Sequence, residues 1–169
     1  MAKALTRSLH TTPDGALSSA SRFTGLCPAC VSSGVRCKYA HMDHEEAFVS
    51  AFIVPEKRTR YLEFLRKPKR RSEILDRLCH FFDFVPQLAT PIARGSGLVA
   101  SLRKRGAGST AHVIGGRDGL DGRDMPLEEA ISEAMADPGG VVVSCIPGQL
   151  ALYMQEFPPG DTYILSSKL

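Results

Sequence analysis

Proline and glycine limit how long any regular element in this chain can be. From Met42 onward, Pro55, Pro68, Pro86, Pro91, Pro126, Pro138, Pro147 and the pair Pro158-Pro159 recur, with Gly95, Gly97, Gly106 and Gly108 breaking the longest interval between them. Proline has no backbone N–H and is excluded from helix interiors and central strands, so the elements must be short and many. The most apolar stretch, Val141 to Met154, is itself interrupted by Ser144, Pro147, Gly148 and Gln149. It falls short of the roughly 18 to 20 apolar residues that a membrane helix needs. The chain is 43% hydrophobic and 23% charged, too apolar to be disordered throughout. A chain of 169 residues is also long enough to bury a sizeable core without disulfides or a metal.

Between these breaks the apolar spacing is readable. Asp43 is a candidate N-cap, Glu45 and Glu46 suit the first turn, and Ala47, Phe48, Ala51 and Phe52 share a face, which predicts a helix over about 43–53. Pro55 opens a second helix carrying Tyr61, Leu62 and Leu65, which Pro68 stops. Ser72, Ile74, Leu75, Leu78 and Phe82 mark a third, ending before Pro86. Val85 to Gly97 reads as a loop or linker, and Leu98 to Arg105 as a brief helix. Thr110 to Ile114 is a strand candidate. Leu127, Ala130, Ile131, Ala134 and Met135 recur at helical spacing behind Pro126, the clearest helix of the chain. Val141–Ile146 and Leu150–Met154, joined by Pro147-Gly148, predict an antiparallel hairpin, with Thr162–Leu165 as a last strand. The expected fold is therefore α+β. A helical unit over 42–84 precedes a mixed unit over 98–169, read α-β-α-β-β-β, whose small and mainly antiparallel sheet carries helices packed on it.

Residues 1–41 read differently. Residues 1–24 show neither period, and the first 41 residues hold one acid, Asp14, against Lys3, Arg7, Arg22, Arg36 and Lys38. This is expected to be a disordered leader or tail ahead of a single domain over 42–169. An organelle transit peptide has a similar composition. Five cysteines, an odd number, with no apolar signal core near the start, point to a reducing, cytoplasmic setting. Cys27, Cys30, Cys37 and His41 have a spacing that can supply four tetrahedral zinc ligands, and the "CKYAH" ending resembles the second half of RNA-binding CCCH zinc fingers. The competing reading is a set of free thiols in an unstructured segment, so no metal residue is assigned.

Charge divides the chain. Glu56 to Arg77 holds nine basic residues against four acids, and Gly106 to Leu169 holds three basic residues against nine acids. The basic helices, with Tyr61 and Phe64 interleaved, can meet a polyanion, or they can be a solvated face or pair with the acidic half. Cys145 and His112 are the one cysteine–histidine pairing in the strands that can bring a nucleophile near a base, although Cys145 sits in an apolar run typical of inert thiols. Asp118, Asp121 and Asp124 are spaced by three, which no calcium loop uses, and read as turn residues. The glycines of "RGSG", "RGAGST" and "IGGRDG" match no phosphate-loop pattern.

"LDGRDMPLEEAI" and "VVVSCIPGQLALY", with the segment Glu45 to Pro91, resemble short bacterial α/β proteins of no assigned activity. The resemblance covers most of 42–169 and implies a compact domain starting near Met42, with residues 1–41 a tail or the product of a start codon placed too early. No enzyme class has positive support and no catalytic residue is assigned. The expected function is a non-catalytic intracellular interaction or regulatory module with a protein partner. The alternative is a nucleic-acid-binding protein that uses helices 56–77, with or without a zinc-stabilised N-terminal loop. No membrane partner is expected.

Overall fold

The computed structural model describes residues 43–117, 119–156 and 160–167. Asp43 caps the first helix, its carboxylate accepting the Glu45 N–H at 3.4 Å, while Glu45 and Glu46 sit at the positive end of the helix dipole. This helix, α1 (His44–Phe52), buries Ala47, Phe48, Val49 and Phe52. Pro55, whose missing N–H costs nothing at a first helical position, opens α2 (Pro55–Leu65), which buries Tyr61, Phe64 and Leu65. Pro68 does the same for α3 (Pro68–Leu78). The third helix thus begins four residues before Ser72, because the proline that ends one helix sits at the first position of the next. Two 3-10 turns, Phe81–Asp83 and Pro86–Leu88, then carry the chain to the sheet.

The remaining elements are β1 (Ala89–Pro91), α4 (Leu98–Lys104), β2 (Thr110–Gly115), β3 (Asp124–Pro126), α5 (Leu127–Ala136), β4 (Val141–Ile146), β5 (Leu150–Met154) and β6 (Thr162–Ser166). They form one six-stranded sheet in the order β1-β6-β5-β4-β2-β3, with every neighbouring pair antiparallel. The fold is α+β, as the sequence leads one to expect. Two strands are additions to that expectation. Ala89–Pro91 lies inside the segment that reads as a linker but pairs with β6, and Asp124–Pro126, between the turn residue Asp124 and the start of the Pro126 helix, pairs with β2. Both are three-residue edge strands ending in proline, too short to show alternation. Pro126 ends β3 and caps α5 rather than occupying its first turn. The β4–β5 hairpin turns at Pro147-Gly148, where Gly148 takes φ 63 and the Gln149 N–H reaches the Ile146 carbonyl at 3.0 Å.

Strand alternation sends successive residues to opposite faces. One face, covered by α4 and α5, collects Val113, Leu127, Ile131, Val141, Val143 and Leu152. The other, covered by α1 to α3, collects Phe48, Phe52, Tyr61, Phe84, Tyr153 and Leu165. Each fully buried side chain of this size is worth about 1.5–3 kcal/mol. The aromatic rings interlock, with Phe84 at 4.5 Å from Tyr153 and Phe81 stacked at 4.4 Å on Tyr163. At one point α3 approaches the strand ends so closely that a Cβ on Gly140 would lie 2.3 Å from the Cys79 Cα, so only glycine fits there. No helix of the described residues is long and apolar enough to cross a membrane.

Candidate functional site

The densest group of polar side chains lies where the start of α1 crosses the sheet. The β2–β4 register puts His112 directly opposite Ser144, so both project toward α1. Helix α1 contributes His44 and Glu45 from its first turn, α3 contributes Arg71, β3 contributes Asp124, and the loop after β2 contributes Asp121. His44 Nδ1 and Ser144 Oγ are 2.8 Å apart, and His112 Nδ1 lies 2.8 Å from Asp124 Oδ1. The two imidazoles stack, with centroids 5.3 Å apart and planes 23° from parallel. His112 Nε2 is 3.6 Å from Glu45 Oε1, within ion-pair reach but too far for a hydrogen bond. Arg71 forks between two carboxylates, with Nη1 donating to Glu45 Oε2 at 2.9 Å and Nη2 to Asp121 Oδ1 at 2.8 Å. Asp121 in turn accepts the Gly115 N–H at 2.8 Å.

The charges follow from this geometry. Burial works against ionised Glu45, but His112 and Arg71 outweigh it and hold the carboxyl at about 2. Asp121 and Glu45 hold Arg71 firmly protonated. Burial pushes His44 below the ordinary histidine value, and the neighbouring His112 adds to the effect while Asp124 and Asp43 oppose it. His112 moves the other way, because Glu45 and Asp124 overcome the cost of its burial.

A serine hydrogen-bonded to a histidine can be an activated nucleophile. Here Ser144 is 1% exposed and His112 9%, with α1 lying over both. The second histidine, His112, stacks on His44 and is bound to Asp124 rather than to the serine. The arrangement holds the first turn of α1 against the sheet and against α3. Among the described residues no group of three or more His, Cys, Asp or Glu side chains can hold a metal.

The Cys145–His112 pairing does not form. The same register that sets His112 opposite Ser144 sends Cys145 to the other face, among the aliphatic residues under α5, where burial pushes its thiol up to about 12. The strand parity is legible in the sequence, but the register between β2 and β4, separated by α5, is not. Cys27, Cys30, Cys37 and His41 lie outside the described residues, as does Asp118. Asp121 and Asp124 are bound to Arg71 and His112. In the basic helices Tyr61 and Phe64 are core residues, and most charges have carboxylate partners: Arg66 with Glu46, Lys67 with Glu63, Arg70 with Glu73, and Arg77 with Asp83. Arg60 and Arg70 flank the Phe64 ring at 5.1 and 3.9 Å.

The helical period places Phe82 on the apolar face of the third helix, and the structure differs. Phe82 belongs instead to the 3-10 turn beyond α3 and is 87% exposed. His80 lies beside it at 5.8 Å and also lines a groove of about 290 Å³ with Asp76, Cys79, Arg117, Gly140 and Glu156. No family model, curated protein or solved structure matches the chain.

Proposed function

We propose that this domain is a non-catalytic binding module that engages a protein partner through the surface around Phe82. The observation that carries this reading is the exposure of the Phe82 ring, 87%, beside a groove and on a fixed turn. Its neighbours anchor it: Phe81 is stacked on Tyr163, and Phe84 is buried against Tyr153. A ring presented on so rigid a base costs little entropy to immobilise, and aromatic side chains dominate binding energy at protein interfaces. The most elaborate polar cluster supports the same reading, since it is closed over by α1. The test is a photo-crosslinking phenylalanine analogue at position 82, with the same probe at half-exposed Met135 as control. A discrete adduct formed from position 82 alone, and competed away by the unmodified chain but not by Phe82→Ala, supports the module. Equal labelling from both positions overturns it.

The second reading is nucleic-acid binding through helices 56–77. Lys69 is exposed with no ion-pair partner among the described residues, and the exposed pairs beside it are of the kind worth about 0–1 kcal/mol, weak enough for a phosphate to displace. Affinity for labelled RNA or DNA that falls steeply with salt and weakens in Lys69→Glu supports this reading, and salt-independent or absent binding removes it.

A further inference from the structure

We propose that His44 and His112 form a one-proton latch, which holds the first turn of α1 on the sheet most firmly when one of the two stacked imidazoles is charged and loosens when both are, or neither is. The inference goes beyond the binding surface and rests on the geometry of the cluster. His44 meets Asp43 at the cap of its own helix, His112 of β2, Asp124 of β3 and Ser144 of β4. His112 meets Glu45 of α1, Asp124 of β3 and His44, with Arg71 of α3 and Asp121 of the following loop bound behind Glu45.

In the latched state His112 is protonated. It donates from Nδ1 to Asp124 and directs its charge at Glu45, which is ionised throughout the neutral range. His44 is neutral, and its Nδ1 accepts the hydroxyl hydrogen of Ser144, a residue 1% exposed. Protonating His44 puts two like charges on rings 5.3 Å apart and takes that acceptor away from a buried hydroxyl. Deprotonating His112 leaves its hydrogen bond to Asp124 but removes the charge that balances Glu45 and Asp124. The linkage signs agree with this. His44, lowered in the fold by burial first and by His112 second, gives stability that is present above the ordinary value of 6.5 and lost as pH falls below it. His112 is raised, with Glu45 and Asp124 overcoming its burial, and gives stability that is present below 6.5 and lost as pH rises through its folded value. Firmness therefore peaks between the two steps.

The experiment is urea unfolding of the full chain from about pH 5 to about pH 8, the window in which the ordinary pKa of histidine lies. Wild type, His44→Gln and His112→Gln are compared, and the imidazole signals of the wild type are followed by NMR across the same range. The folded-to-unfolded ratio changes by roughly tenfold for each unit by which a pKa differs between the two states. The expected result is a wild-type maximum inside the window. His44→Gln should lose the acid decline and keep the alkaline one, and His112→Gln the reverse. In the NMR titration the two rings should step on opposite sides of 6.5. A wild-type midpoint that is flat across the window overturns the proposal. So do variants that keep both declines, or two rings that titrate together as isolated histidines.

Discussion

The two faces of the sheet solve the same packing problem with different chemistry. Beneath α4 and α5 the filling is almost wholly aliphatic with two methionines, and the one titratable side chain of that cluster, Cys145, has its thiol pushed up to about 12 by burial. Beneath α1 to α3 the filling is aromatic, and at one end it gives way to His44, Glu45, Arg71, His112, Asp121 and Ser144. An aliphatic face is held by area removed from water and responds little to pH. The helical face adds charges whose worth depends on proton occupancy, so solution conditions can adjust it.

The sharpest way to break this comparison is on the aliphatic side. Leu152→Ala, at a fully buried site, should cost about 2–5 kcal/mol in urea unfolding, by the same amount at pH 5.5 and pH 8. A cost that varies with pH would mean that the two faces are not independent. Next comes Glu45, whose carboxyl is depressed from 4.5 to about 2 in the fold. Its contribution is complete above 4.5 and disappears as pH falls toward 2, so Glu45→Gln should cost about 2–3 kcal/mol at neutral pH and flatten the acid limb of the stability curve. A variant as acid-sensitive as wild type would place the network's energy elsewhere. The smallest effect is expected from Arg66→Ala, which removes an exposed pair with Glu46 and should change stability by about 0–1 kcal/mol, less so in high salt.

The sequence makes some of this legible and hides the rest for identifiable reasons. Asp43, Pro55 and Pro126 are local signals, and α1, α2 and α5 lie within a residue or so of where these signals put them. Pro68 both stops α2 and, at home at a first helical position, opens α3 ahead of the Ser72 signal. Strands β1 and β3 carry no local signal at all. Each exists because a partner distant in sequence, Tyr163 to Leu165 or Thr110 to His112, offers it backbone hydrogen bonds. The polar cluster was out of reach for a related reason. His44 and Glu45 look like ordinary residues of an acidic first turn until β2, β3, β4 and α3 converge on them. Phe82 fits the helical period, but the helix ends at Leu78, and the following 3-10 turn points the ring outward.

The two edge strands have a consequence for the protein in a crowded solution. Each is three residues long and ends in proline, Pro91 on one side and Pro126 on the other. A growing cross-β ribbon needs a long row of free amide donors and carbonyl acceptors to copy, and neither rim of this sheet supplies one. The sheet of the described residues terminates itself, and neither rim offers a template for fibre growth.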